Sequence, residues 1–443
     1  MTTTPISRLA GGSLTRHFAR APVGAKPDAQ TIADAYVYLL GRALVIRQEH
    51  LDLDGTGADY NLIDDKPLGA PDGVNPNFDV ASVEAWLAVD DRTPVILEVP
   101  EIVNRHYNVQ VIDEWGGVIA NINPRTFPSH PSGRFAFVKP GSRAKVPANA
   151  ARIVLRSSKA KVVARVEIRQ DREASVRLQR QFELASAGSP SIVPAVPLPM
   201  FGTRELIGVE LFQSAEEILA TALDTAPGAA ALQHKVRLVA GYTESGPEAR
   251  LDVEGLLRER LIPHFLDFTA KRAMANRHQW RSSHPAGSGA VADYQRRTAA
   301  NLASVWTDTP DEALTFQTTR DAAGKPLNGS NTYVMEFAAD ELPAALVSGH
   351  WSLTLVSMPG YRVVPNPLNR FLFNSHSRLI CERDGSLRIF VGPRPPRDVP
   401  ESNWLPSSDW KPFLLTMRTY VPKAAVTSGE WFPPALATLE GSG

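Results

Sequence analysis

The chain has 443 residues, 43% hydrophobic and 21% charged, with 47 Lys and Arg against 47 Asp and Glu. This length exceeds one ordinary core and predicts two or three domains, while zero formal charge removes any general attraction to nucleic acid or an anionic membrane. Cys381 stands alone, which excludes an intrachain disulfide framework and a cysteine-rich zinc site.

Residues 1–27 read as a disordered lead. Met1 to Gly24 is polar, threonine-rich and basic, without the apolar stretch of a secretory signal. No window reaches the ~20 apolar residues of a membrane span, so a cytoplasmic location is expected. Ile32, Ala35, Tyr36, Leu39, Leu40, Ala43 and Leu44 recur at helical spacing behind Asp28, an expected N-cap. Leu51 to Val74 is rich in Gly, Asp and Pro and predicts a long surface loop. Short runs of strand character follow at 83–89, 94–99, 107–112, 118–122, 134–138 and 151–155. Such spacing indicates a sandwich or barrel, not a wound parallel sheet. The basic run Arg152 to Arg180 is interrupted by Glu167, Asp171 and Glu173 and reads as a solvated face.

Ser189 to Met200 holds four prolines and predicts a stiff connector. Ser214 with Glu217 forms a capping-box pattern ahead of Ile218, Leu219 and Leu223. A second helix is expected over 253–275, with Leu256, Leu257, Leu261, Phe265 and Phe268 inward, and a third over 293–305 after a polar break at 282–288. Strands return at 313–318, 332–337 and 351–356. Asp384-Gly385 marks a hairpin between 377–382 and 387–391, with Cys381 expected as a buried, inert thiol on its first strand. Phe413 to Val421 alternates as a strand should, and Trp351, Trp404 and Trp431 offer aromatic area for packing two sheet domains together. No short internal repeat is present, which argues against solenoids and propellers. The expected class is β-rich α+β: two β-sandwich, jelly-roll-like domains (28–188 with its entry helix, and 301–443) around a connector and helical middle segment (189–300).

Particular residues carry a resemblance. Asp34-Ala35-Tyr36-Val37-Tyr38, Asn75-Pro76-Asn77-Phe78-Asp79, Ala85-Trp86-Leu87, Val99-Pro100 and the block 105–113 resemble the family called domain of unknown function 1254. Gly324-Lys325-Pro326-Leu327-Asn328-Gly329-Ser330, Trp351-Ser352-Leu353-Thr354-Leu355, Asn369-Arg370-Phe371, Asp384-Gly385-Ser386-Leu387 and 403–434 resemble its usual partner, domain of unknown function 1214. The chain departs from the family pattern at Val80-Ala81-Ser82, where Thr-Leu-Tyr is usual, at Val356 in place of tyrosine, and at His106 in place of the first tyrosine of Arg-Tyr-Tyr. The resemblance implies two sandwich-like domains with helical elements, often in homo-oligomers, and no established mechanism.

If 105–113 is a strand, Arg105, Tyr107 and Asp113 share one face and His106 the other. Arg105 could clamp an anionic group bidentately, and Tyr107 or Asp113 could handle a proton. Asn121 and Arg125 follow the next strand and could orient a substrate. Arg370, beside Asn369, is the C-terminal ligand candidate; Asn403 beside Trp404 reads as a turn brace. The ten histidines form no pair at metal-ligand spacing on a helix. No Gly-x-Ser-x-Gly elbow or Walker loop is present, and Gly287-Ser288-Gly289 with Ala292 lacks the preceding strand of a dinucleotide fingerprint. Two functions fit these residues, and no cofactor is identified for either. One is a cofactor-independent enzyme acting on a small organic, anionic substrate in an inter-domain pocket, with Tyr107 and Asp113 as catalytic groups and Arg105, Asn121, Arg125 and Arg370 binding. The other is a non-catalytic small-molecule- or carbohydrate-binding or assembly protein built from the same modules.

Overall fold

The computed structural model describes residues 26–55, 57–69, 76–284 and 293–439; the expected lead up to residue 25 and the fingerprint-like stretch at 287–292 lie outside them. Asp28 caps helix α1 (Ala29–Leu53) by accepting the Thr31 amide at 2.7 Å. Nine strands follow. They are β1 (Asp64–Asp65), β2 (Val80–Ala88), β3 (Val95–Val99), β4 (Tyr107–Ile112), β5 (Val118–Ile122), β6 (Gly133–Val138), β7 (Ala150–Val154), β8 (Lys159–Glu167) and, beyond helix α2 (Arg172–Gln179), β9 (Glu183–Ser186). One sheet runs β1-β2-β8-β4-β5 and the other β7-β6-β3-β9. Alternation explains the core between them. Val109, Val111, Ala160, Val162, Ala164 and Val166 point inward from the first sheet and meet Val95, Leu97, Phe135, Phe137 and Ile153 of the second. The outward row of β8, Lys159, Lys161, Val163, Arg165 and Glu167, is left to contact other parts of the chain.

The middle of the chain is helical: α3 (Ala215–Thr221), α4 (Ala229–Thr243), α5 (Pro247–Leu256) and α6 (Ile262–Lys271). The single helix expected over 253–275 is interrupted by one wider turn at Leu257–Leu261, and Pro263 at the start of α6 explains why the regular ladder cannot run through. Ser214 precedes α3 without a side-chain capping bond. Two short strands, β10 (Asn276–Arg277) and β11 (Trp280–Ser282), come before helix α7 (Tyr294–Ala303). Helix α1 is buried on nearly every side, because α3, α4 and α7 pack around it; Tyr36, Leu40, Leu44, Val236, Phe265 and Ala299 belong to one core. Its neighbours are helices roughly 160 to 270 residues away in sequence, which periodicity within α1 could not reveal.

The C-terminal strands are β12 (Ala313–Thr318), β13 (Tyr333–Phe337), β14 (Trp351–Ser357), β15 (Leu372–Asn374), β16 (Leu387–Gly392), β17 (Trp404–Pro406), β18 (Phe413–Tyr420) and, after helix α8 (Ala424–Thr427), β19 (Ala437–Thr438). They form a six-stranded sheet, β10-β11-β12-β18-β14-β15, and a four-stranded one, β17-β16-β13-β19. The chain is therefore a β-rich α+β protein, and strands from upstream of α7 begin its largest sheet. Trp351 and Trp431 lie inside the C-terminal core with Phe316, Leu353 and Met417, and Trp404 donates its indole N–H to the Gly392 carbonyl at 2.9 Å. They do not join the two sheet units. Cys381 is exposed and lies outside any strand, contrary to expectation, because β16 pairs with β13 and β17 and not with the segment before the Asp384 turn. Among the described residues no helix is long and apolar enough to cross a membrane.

Candidate functional site

Arg105, Tyr107 and Asp113 engage separate sets of partners. The Arg105 guanidinium donates to the Glu167 carbonyl at 2.8 Å and the Ser175 hydroxyl at 2.6 Å, tying α2 to β8. Tyr107 is packed with Val109 and Val111, its hydroxyl donates to the Pro131 carbonyl at 2.6 Å, and burial pushes its pKa up to about 12. Strand β4 ends at Ile112, so Asp113 lies in the turn beyond it and not on the strand's face. That carboxylate instead accepts the Trp115 and Gly117 amides, each at 2.8 Å, and pairs with Arg156; burial raises its pKa against the pull of that arginine. Arg370 braces the carbonyls of Glu401 and Trp404, and Asn403 braces Ile380 and Arg388.

The remaining two candidates do come together, on the opposite face. Asn121 donates to Thr309 Oγ1 at 3.0 Å, and Arg125 pairs with Glu312, a residue 2% exposed. Beside them Gln110 reaches the Thr307 carbonyl at 2.9 Å and Arg165 reaches Asp308 at 2.8 Å. The outer face of the first sheet thus meets the C-terminal unit through polar side chains. That seam ends in a sealed cluster. Asp79, 1% exposed, accepts the Ser352 hydroxyl at 2.5 Å and lies 3.8 Å from the Arg418 guanidinium; burial raises its pKa despite that cation. Gly349 permits the next step, since a Cβ there would stand 2.7 Å from the Tyr420 carbonyl. His350 then stacks on Tyr420 at 3.9 Å, with His106 at 5.5 Å from His350. Burial lowers His106 to about 4 and His350 to about 3, so both are neutral near pH 7. Glu167 accepts His376 Nε2 at 2.9 Å and the His106 amide at 3.0 Å, and these bonds outweigh its burial and keep its pKa low.

The six-stranded sheet carries this polar face outward. Registers align Thr354 with Thr416, Thr416 with Gln317, and Gln317 with Arg281, so four strands present one cross-strand row. Beyond the row opens a groove of about 440 Å³, a size typical of small-molecule sites. Asn276, Gln279, Arg281, Gln317, Thr318, Thr319 and Arg320 make its polar lining, and Met358, Tyr361 and Leu414 its apolar lining. Among the described residues no carboxylate lines it. Arg281 is half-buried and donates to the Thr269 carbonyl, and burial alone lowers its pKa. Arg320 is exposed and donates to the Gly324 carbonyl at 2.7 Å. Among the described residues neither guanidinium has an acidic partner. His278 (φ 54°) and Gln279 (φ 66°) form a two-residue left-handed hairpin turn without glycine, and Tyr361 has φ 52°. Each such residue costs on the order of 1–2 kcal/mol, a kind of strain that gathers at ligand sites.

None of these groove residues was a sequence candidate. The available signal was a polar residue at every second position on two apolar strands, Ser352 and Thr354 on β14, Thr416 and Arg418 on β18. By contrast, the crevice between Tyr38, Asp224, Tyr294 and Arg297 has no room for a water, since Arg297 and Asp224 close it with a bond of 2.8 Å.

Comparison with known proteins supports the architecture. Residues 63–186 match the model described as protein of unknown function DUF1254, and residues 312–424 match protein of unknown function DUF1214. The chain is similar in fold to the VPA0106 protein from Vibrio parahaemolyticus, with a TM-score of 0.71 at 20% identity over 93% of this chain and 100% of that one. An uncharacterized protein from Burkholderia cenocepacia aligns with a TM-score of 0.43 at 12% identity over 94% and 91% of the two chains. No curated protein matches.

Proposed function

We propose, for a chain that belongs to the family joining DUF1254 with DUF1214, a binding function: it holds a small, negatively charged organic molecule in the groove of Arg281 and Arg320. The observation that carries this reading is the charge balance of the groove. Among the described residues, two cations, several amides and hydroxyls, and no acid line a space of metabolite size. An unpaired guanidinium half-withdrawn from water gains most from an anion that restores its lost solvation.

The binding alternative is preferred to the catalytic one for a chemical reason. Among the described residues the groove contains no histidine, carboxylate, lysine or cysteine to take up a proton at neutral pH. Acid–base groups do exist on the same sheet face, but Tyr420 lies four residues along β18 from Thr416, roughly 13 Å away at strand rise. In this reading the sandwich-like sheet pairs serve as a rigid frame that fixes the lining side chains.

Isothermal titration with acetate, citrate and inorganic phosphate tests it, run at low and high salt. At least one anion should bind, more weakly as salt rises, and the Arg281→Met/Arg320→Met double variant should lose that binding. Equal binding of glucose, or undiminished affinity in the double variant, would remove the proposal.

A further inference from the structure

We infer that the preferred occupant of the groove is an amphiphilic carboxylate, a single acid group on a compact apolar body such as an aryl or branched acyl chain. This rests on the reading of the groove as an anion site and specifies its ligand. The two sides of the groove differ in chemistry. The polar side is anchored at the Thr354–Thr416–Gln317–Arg281 row, where Gln317 already donates to Thr416 Oγ1 at 3.4 Å. The Asn276 and Gln279 amides have no hydrogen bond among the described residues, so their capacity is unspent where the lining needs it. The apolar lining is firmly backed. Leu414, 7% exposed, packs with Phe78, Val356 and Val363, and Met358 lies against the same cluster.

Tyr361, a residue 38% exposed, completes that lining. An aromatic held at positive φ over an open groove pays backbone strain without gaining core burial, and a ligand's apolar body would supply the missing contact. Met358 adds a flexible thioether that adapts to differing shapes.

The head group follows from the unequal arginines. Arg281 is half-buried and held by the Thr269 carbonyl, whereas Arg320 is exposed and held by the Gly324 carbonyl of its own turn. One half-buried guanidinium matches one planar carboxylate in two parallel bonds. A doubly charged phosphate would need a second half-buried cation to offset its greater desolvation. A sugar would leave both the guanidinium and the Tyr361 side poorly matched.

Calorimetric titration with phenylacetate, acetate, benzyl alcohol and inorganic phosphate separates these terms. Phenylacetate should bind at least about tenfold more tightly than acetate, which lacks the body, and than benzyl alcohol, which lacks the charge. Tyr361→Asn, which tolerates the left-handed backbone at an exposed position, should abolish the advantage over acetate while sparing acetate itself. Arg281→Met, checked for folding by its melting curve and paired with the milder Arg281→Lys, should reduce phenylacetate binding by about tenfold or more. Equal affinities for acetate and phenylacetate, or tighter phosphate binding, would overturn the amphiphilic ligand and leave the anion site standing. Failure of every anion to bind would overturn both.

Discussion

Two sets of cations in this molecule live under opposite terms. Between α1 and the first sheet, Arg42 faces Glu114 at 2.9 Å and Lys159 faces Glu49 at 2.6 Å, all four side chains 1% exposed or less. Lys161 next to them joins Asp52 and Glu84 at 2.7 and 2.9 Å. In the groove, Arg281 and Arg320 meet only backbone carbonyls. The first set is neutralised pair by pair, and its role is to seat a helix on a sheet. The second leaves positive charge unspent beside open space. The lesson is that arginine content says little by itself. What a cation faces decides whether it is part of the scaffold or part of a site.

The sharpest way to break that contrast is to remove one charge from the sealed set. Glu114→Gln strands Arg42 in a dry interior and should cost about 3–5 kcal/mol in urea unfolding, whereas Arg320→Met should cost less than about 0.5 kcal/mol. A loss below about 1 kcal/mol for Glu114→Gln would show that water reaches the sealed set, and the distinction would fail.

The histidine seam sits between these extremes, polar and buried but uncharged. His350 has no hydrogen-bond partner on either ring nitrogen among the described residues. Both His106 and His350 titrate lower in the fold than in the open chain, so between about pH 6.5 and 3 the unfolded state binds more protons. Stability is then fully present above about pH 6.5 and falls on acidification, by on the order of a few kcal/mol for the pair. Asp79, raised by burial, titrates in the opposite sense. The difference between wild type and His350→Phe therefore isolates the imidazole. Parallel pH profiles for the two proteins would rule out this account.

Asp113→Asn gives a smaller effect and separates brace from site. Its carboxylate holds two amides and Arg156, so the amide should lose about 1–2 kcal/mol and leave anion binding in the groove unchanged. Altered anion affinity would return Asp113 to the site. The smallest effect is a gain. Gln279→Gly relaxes the left-handed hairpin and should raise stability by about 1 kcal/mol while weakening ligand binding, as expected where strain serves a site. A destabilised variant would mean that the turn is not strained.

Local signals were legible where one residue's neighbours are also its sequence neighbours. Asp28 caps α1, Asn403 braces its turn, and His106 does lie on the face opposite Tyr107. The groove was illegible because its row joins Arg281, Gln317, Thr354 and Thr416 across four strands, and only sheet order brings them side by side. Period-two reasoning failed at Asp113 for a nearby cause, the end of β4 one residue earlier. Tyr107 shows the other limit: alternation assigns a face but not whether that face looks into the core or at another domain.

The early strands of the six-stranded sheet have a practical consequence. Because β10 and β11 precede α7, a polypeptide beginning at residue 301 would lack Arg281 and leave β12 as a bare rim. Its unmatched amides and carbonyls would recruit neighbouring molecules, so such a truncation should clump. Cutting ahead of Asn276 keeps that rim sheathed.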